Sequence, residues 1–181
     1  MISLPFPDGS FNTIYSDPPW PAYGGGIKGG RRGANRHYQL MSVKEIMAMG
    51  PEVRRIAGDN CHLYLWMTNT YLPDALKVME SWGFDYKTII TWLKDRKGLG
   101  QYFRGKTEHC LFGVRGVLPY RFRKDGKRAQ GVTGFVAPRQ EHSVKPEEMV
   151  KMIELVSHPP YLEMFARRPR EGNWQVWGNE V

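Results

Sequence analysis

Phe11-Asn12-Thr13-Ile14-Tyr15-Ser16-Asp17-Pro18-Pro19-Trp20 is the stretch on which the reading of this chain turns. Aromatic and β-branched residues follow the Asp8-Gly9 turn signal, which predicts a strand over 11–16 ending at Asp17. Pro18 and Pro19 cannot prolong it, since each lacks an N–H, fixes its own φ and restrains the residue before it. A carboxylate is therefore expected at a strand end, followed by a rigid backbone whose carbonyls cannot join a ladder. From Pro21 to Arg36 the chain is rich in glycine and basic residues, Arg31-Arg32 among them, with nothing apolar to anchor it, and a loop is expected there.

Outward from this stretch the pattern alternates. Ser42 and Glu45 have capping-box spacing and predict a helix from Val43 to about Met49. Residues 61–67 read as a buried strand. Leu72, Ala75, Leu76, Met79 and Trp82 recur at helical spacing, closed by Gly83. Strands are expected over 84–93, 109–114, 161–166 and 174–177, and a helix opened by Pro146 running to about Val156. The stretches 94–106 and 121–137 read as basic loops. Such alternation implies an α/β fold, with an open, mostly parallel sheet and helices on both faces, as a single domain over 1–181. Ligands in such sheets bind beyond the carboxyl ends of the strands, here after Ser16, Leu93 and Ala166.

The chain of 181 residues is 41% hydrophobic and 24% charged, which excludes disorder, and its formal charge of +8 favours an anionic partner. The basic loops at 23–36, 94–106 and 121–128 are expected to flank one crevice and to contact nucleic-acid phosphates, with Arg31 and Arg32 prominent. Cys61 and Cys110 read as buried thiols. Each is followed by a histidine, but neighbours on a strand point to opposite faces, and Glu141-His142 has no third ligand spaced to help, so no metal site is expected. Nor does any apolar run approach the roughly 20 residues that span a bilayer. With no leader pattern, a cytoplasmic protein is expected.

A strand-end carboxylate beside a rigid carbonyl suits an amine that needs help to react. The exocyclic amine of adenine is a poor nucleophile because its lone pair is delocalised into the ring. The Asp17 carboxylate and the Pro18 carbonyl can accept its two hydrogens and leave the lone pair aimed at a sulfonium methyl group, an effect of positioning and preorganised charge. Trp20 or Tyr23 can offer a flat face to an unstacked base. Taken alone, the four residues are better described as a capped turn stiffened by prolines, and the rest of the chain must decide.

The order of segments resembles the adenine N6-methyltransferase family that includes the catalytic subunit of the eukaryotic messenger-RNA methyltransferase and many bacterial and phage enzymes. The resemblance runs nearly end to end. It rests on Asp17-Pro18-Pro19-Trp20, His37-Tyr38-Gln39-Leu40-Met41, Leu63-Tyr64-Leu65-Trp66-Met67-Thr68-Asn69 and Trp82-Gly83-Phe84. Further on come Glu108-His109-Cys110-Leu111, the segment Glu141 to Pro146, Leu162 to Arg167, and Trp177-Gly178-Asn179-Glu180.

The resemblance implies a Rossmann-like fold in permuted order that binds S-adenosylmethionine and methylates adenine N6 in a nucleic acid. It implies that Asp17, with Pro18, Pro19 and Trp20, forms the catalytic segment, and that Asp17 also meets the cofactor's amino-acid moiety. Lys145 is implied as the partner of the cofactor's carboxylate. Arg167, Asn179 and Glu180 are implied as ribose and adenine contacts, and Tyr38, Glu108 and Ser143 as positions near the target base or the cofactor. A small basic domain with no appended reader resembles bacterial or phage enzymes, which favours DNA over RNA. A non-catalytic nucleic-acid-binding relative is the reading of another class, and a methyltransferase for a protein or small molecule a third. Relatives usually carry a segment ahead of the catalytic strand that closes over the cofactor's adenine; here either Ile2-Ser3-Leu4 is expected to do so or the pocket is more open.

Overall fold

In the computed structural model, the described residues are 2–21, 40–98, 100, 102–117, 120–139, 144–179 and 181. Seven strands form one sheet in the order β5-β3-β4-β2-β1-β6-β7. Their ranges are β1 Phe11–Ser16, β2 Ala57–Met67, β3 Asp85–Lys94, β4 Thr107–Arg115, β5 Gly134–Ala137, β6 Tyr161–Met164 and β7 Trp174–Trp177. β1 runs parallel to β2 and β6, β6 to β7, and β3 to β5. Only β4 is reversed, pairing antiparallel with β2 and β3. The mostly parallel α/β sheet expected from the sequence is present.

The helices are α1 Val43–Ala48, α2 Gly50–Ile56, α3 Leu72–Ser81 and α4 Glu147–Val156. Ser42 and Glu45 form the capping box of α1, with Glu45 N–H donating to Ser42 Oγ at 3.2 Å and Ser42 N–H to Glu45 Oε2 at 2.7 Å. α3 ends at Gly83, where the N–H groups of Gly83 and Phe84 donate to the Glu80 and Met79 carbonyls. Apolar residues of α1, α2 and α3 pack with Ile14, Leu63, Leu65, Leu111 and Leu162 in one core. Met149, Val150 and Ile153 of α4 pack with Tyr15, Tyr64, Trp66 and Trp92 in the other. Helices therefore cover both faces. Both cysteines are buried thiols, and among the described residues no helix is long and apolar enough to cross a membrane.

Three expectations are corrected. The stretch 121–137 is not all loop, because Gly134–Ala137 pairs with Thr91–Lys94 as β5. Its burial alternates over four residues, but the exposed positions are Gly134 and the apolar Val136, so the sequence carries no apolar/polar alternation. Next, the reversal of β4 carries its exit at Arg115 to the sheet's amino edge, and the basic stretch 121–128 lies there with it. Its Arg121 donates from its guanidinium to the Glu154 carbonyl and from its N–H to the Val156 carbonyl at the carboxyl end of α4. It thus sits at the far edge from Asp17, and the three basic loops do not flank one crevice. Last, Leu4 does not close over a cofactor. It is buried against α2, with its N–H on Glu52 Oε2 at 2.9 Å and its carbonyl accepting from Arg55 Nη2 at 2.8 Å.

Candidate active site

The carboxyl ends of β1, β2, β3, β6 and β7 share one edge with the amino end of β4. Asp17 follows β1 there, Glu108 opens β4, Lys94 closes β3, and Lys145 stands two residues ahead of α4. Lys145 Nζ donates to Asp17 Oδ2 at 2.6 Å and lies 3.7 Å from Glu108 Oε2. Lys94 Nζ donates to the other oxygen of Glu108. Acid and base thus alternate through four side chains drawn from four separate segments. A cation ahead of a helix N-terminus is ordinarily unfavourable, and here two carboxylates supply the reason for it.

Both ammoniums rest over indole rings, Lys145 Nζ at 5.3 Å from the Trp66 centroid and Lys94 Nζ at 4.8 Å from that of Trp92. Trp66 donates through Nε1 to the Tyr15 hydroxyl at 2.7 Å and Trp92 to the Ala137 carbonyl at 2.8 Å, which fixes the rings. Asp17 is enclosed by protein yet keeps 30% of its side-chain surface open. Burial raises its pKa, and the Lys145 ammonium and then the Arg167 guanidinium oppose that rise. Glu108 ends lower than an ordinary glutamate: burial pushes it up, but Lys145 and Lys94 together outweigh burial. Two carboxylates that share one lysine are thereby held at different acidities.

The proline pair behaves as rigid spacer, though its carbonyls are in use. Pro18 accepts the Trp20 N–H at 2.8 Å, and Pro19 accepts the Met41 N–H at 2.9 Å. A carbonyl has two lone pairs, so Pro18 retains acceptor capacity. Trp20 is built into the scaffold. Its Nε1 donates to the Trp66 carbonyl at 2.9 Å, and Tyr71 stacks on it with centroids 5.2 Å apart and planes 18° apart. One face of the indole is therefore covered, which leaves at most the other for a base.

Beyond β6 the chain turns at Phe165, whose φ of 61° is a left-handed value uncommon for a side-chain-bearing residue. Phe165 packs edge-on against Trp177. The Ala166 N–H donates to the Trp177 carbonyl at 3.0 Å, and a Cβ on Gly178 would stand 2.1 Å from the Ala166 carbonyl oxygen. This close approach brings Arg167 and the exposed Asn179 onto neighbouring turns. Glu163, four residues before Arg167 in the chain, is engaged by Arg170.

Asp17, Glu108, Lys145, Arg167 and Asn179 therefore meet at one edge. Tyr23, Arg31, Arg32, Tyr38, Ser143 and Glu180 lie outside the described residues. The sequence reading missed Lys94 as a member of the charged chain, and Trp66 and Trp92 as its floor. Lys94 was legible only as the start of a basic loop, because its partner Glu108 is brought in by the strand pairing of Trp92 with Glu108. His109, whose Nδ1 lies 2.9 Å from Thr91 Oγ1, is a strand histidine with a partner.

The chain is similar in sequence to known proteins. The chain is 30% identical over 194 residues to the Type II methyltransferase M.MunI of Mycoplasma sp., covering 97% of this chain and 79% of that protein. It is 27% identical over 185 residues to the N(6)-adenosine-methyltransferase catalytic subunit METTL3 of Homo sapiens, covering 96% of this chain and 28% of that protein. It is also 25% identical over 118 residues to the N6-adenosine-methyltransferase non-catalytic subunit MTB of Arabidopsis thaliana, covering 60% of this chain and 14% of that protein. The family profile MT-A70 matches residues 11–180. The match leaves out little beyond the ten N-terminal residues that precede β1, and the chain belongs to the MT-A70 family.

Proposed function

We propose that the protein is an S-adenosylmethionine-dependent methyltransferase that modifies adenine N6 in a nucleic acid, with DNA the preferred polymer. The observation that carries the reading is the Asp17–Lys145–Glu108 cluster at the carboxyl edge, with Asp17 enclosed, partly open and set at the head of a rigid Asp-Pro-Pro-Trp segment. Similarity to the Type II methyltransferase over 79% of its length supports DNA, whereas the adenosine-methyltransferases are matched over 28% or less of theirs.

The donor set suits an amino-acid-bearing cofactor with a ribose. Lys145 offers a cation for a carboxylate, Asp17 an acceptor for an ammonium, and Arg167 and Asn179 polar groups for hydroxyls and ring nitrogens. S-adenosylmethionine, when bound, supplies an electrophilic methyl group on a sulfonium. Asp17 and the spare lone pair of Pro18 accept the hydrogens of the target amine and orient it. The raised pKa of Asp17 suits a group that takes up the proton the methylated amine releases. Lys145 acts on the acceptor as well, since it keeps Asp17 ionised until the amine arrives.

Incubation with methyl-labelled cofactor and matched DNA and RNA oligonucleotides, followed by nucleoside analysis, tests the reading. Label in N6-methyldeoxyadenosine is expected. Label in RNA alone assigns the polymer to RNA, and label in neither overturns the proposal.

A further inference from the structure

The hairpin joining β3 to β4 leaves two adjacent aromatic side chains in water. Tyr102 is 94% exposed and Phe103 90%. Most other large aromatics of the sheet are buried or half-buried, so the core gains nothing from this pair, and contiguous exposed apolar surface marks a contact site. The tip is braced. Lys94 N–H donates to the Lys106 carbonyl at 2.8 Å, Gly98 N–H to the Gly105 carbonyl at 2.6 Å, and Arg104 Nε to the Gly98 carbonyl at 2.7 Å. A Cβ on Gly100 would stand 1.9 Å from the Phe103 carbonyl oxygen, so the backbone closes on itself directly behind the aromatic pair.

The surroundings specify the occupant. Arg96, Lys97, Arg104 and Lys106 flank the pair, and the single acid among them, Asp95, already accepts the Arg139 N–H at 2.9 Å. Flat apolar rings framed by cations match a polymer that presents flat bases on an anionic backbone. The hairpin also stems from the active site, with Lys94 and Glu108 on its two arms. Phe103 is five residues from Glu108, a reach of at most about 18 Å. Stacked nucleotides follow one another every ~3.4 Å, so the tip falls within about five steps of the target.

We propose that Tyr102 and Phe103 stack on bases beside the adenine being methylated, filling or bracing the stack from which that adenine is withdrawn. The inference rests on the nucleic-acid reading above and adds to it a reader of neighbouring bases. The backbone contacts of the basic residues and the base contacts of the aromatic pair respond differently to salt, which separates them experimentally.

The test is fluorescence anisotropy of labelled oligonucleotides across a salt series, with methyl transfer measured on the same samples. Y102A/F103A is expected to weaken binding about tenfold or more with an unchanged salt slope, and Y102W/F103W to restore it. K97A/R104A should instead flatten the slope. Phe122→Ala, at an exposed aromatic in the basic hairpin of the opposite edge, should bind as the parent does. If the parent methylates oligonucleotides and Y102A/F103A binds and methylates them equally well, the stacking role is overturned while the proposed function stands. If Y102A/F103A keeps its affinity but dissociates an oligomer seen by light scattering, the tip is a protein contact and the inference is wrong. A parent protein that binds no nucleic acid overturns both.

Discussion

The two edges of the sheet handle buried polarity in opposite ways. At the carboxyl edge, Asp17, Lys145, Glu108 and Lys94 are charged, alternate in sign and each retain part of their surface, between 13% and 30% of the side chain. Toward the amino edge, Thr13, His62 and Ser157 are fully buried and neutral, and Tyr64 joins them. Ser157 Oγ sits 2.7 Å from His62 Nδ1 and 2.8 Å from the Tyr64 hydroxyl, while its carbonyl accepts from the Tyr161 hydroxyl at 3.0 Å. That second cluster fastens the end of α4 to β2 and β6. The amino edge carries charge as well, but its Asp8–Arg55–Glu52 ion pairs tie the N-terminal segment to α2, whereas the charges of the carboxyl edge converge from four segments on the strand ends. Polarity alone does not mark a site; charge that converges from several segments at accessible strand ends does.

The comparison can be broken in several ways. The largest effect is expected from Asp17→Ala, which should lower the methyl-transfer rate about 100-fold or more while the circular dichroism spectrum stays unchanged. A mutant that transfers at the parental rate removes Asp17 from the chemistry.

Acid should act on the other edge. Burial, aided by the charge of His158, lowers His62 to about 4, against an ordinary value near 6.5. Between those values the unfolded chain takes up a proton that the folded chain refuses, so stability falls as pH drops through that window. The loss should reach about 3 kcal/mol near pH 4, read from urea denaturation at a series of pH values. His62→Gln should remove that part of the slope. An identical pH dependence in the variant contradicts a neutral, buried imidazole.

Lys145→Ala is expected to weaken S-adenosylmethionine binding by about 1.5–3 kcal/mol, measured by calorimetric titration. It also deprives Asp17 of its main stabilising cation, so the acid limb of the pH–rate profile should move to higher pH. The smallest effect belongs to the basic hairpin of the amino edge. Replacing Lys124 and Lys127 with alanine should change oligonucleotide affinity by no more than about 0.5 kcal/mol. A larger loss extends the nucleic-acid surface around the sheet and erases the contrast between its edges.

Much of this was legible in the sequence, for identifiable reasons. The strand ending at Asp17, the capping box at Ser42 and the closure of α3 at Gly83 are local signals, and local geometry honours them. α2 escaped notice because Gly50-Pro51 reads as punctuation, although Pro51 lies in the first turn, where its missing N–H costs nothing. β5 alternates in burial, but its exposed side carries Gly134 and the apolar Val136, so no polar residue marks the period. The pairing of Lys94 with Glu108 and the placement of 121–128 at the far edge both depend on the reversed direction of β4. Direction is a property of the assembled sheet, and no pattern within residues 107–115 records it. Of the residues the family pattern points to, Asp17, Glu108, Lys145, Arg167 and Asn179 lie at one edge, whereas the supporting indoles follow from the packing of α4 against the sheet.

Asp17→Asn and Ser157→Ala, measured side by side for methyl-transfer rate and for stability to urea, test the division between the two edges most directly. The account predicts a crossed result. Asp17→Asn should lose transfer and keep its stability, while Ser157→Ala should lose about 1–3 kcal/mol of stability, from stranding His62 and Tyr64, and keep the transfer rate of its folded fraction. If both variants lose rate and stability together, or if Asp17→Asn transfers methyl groups as the parent does, the carboxyl edge is not the reacting edge and the account fails.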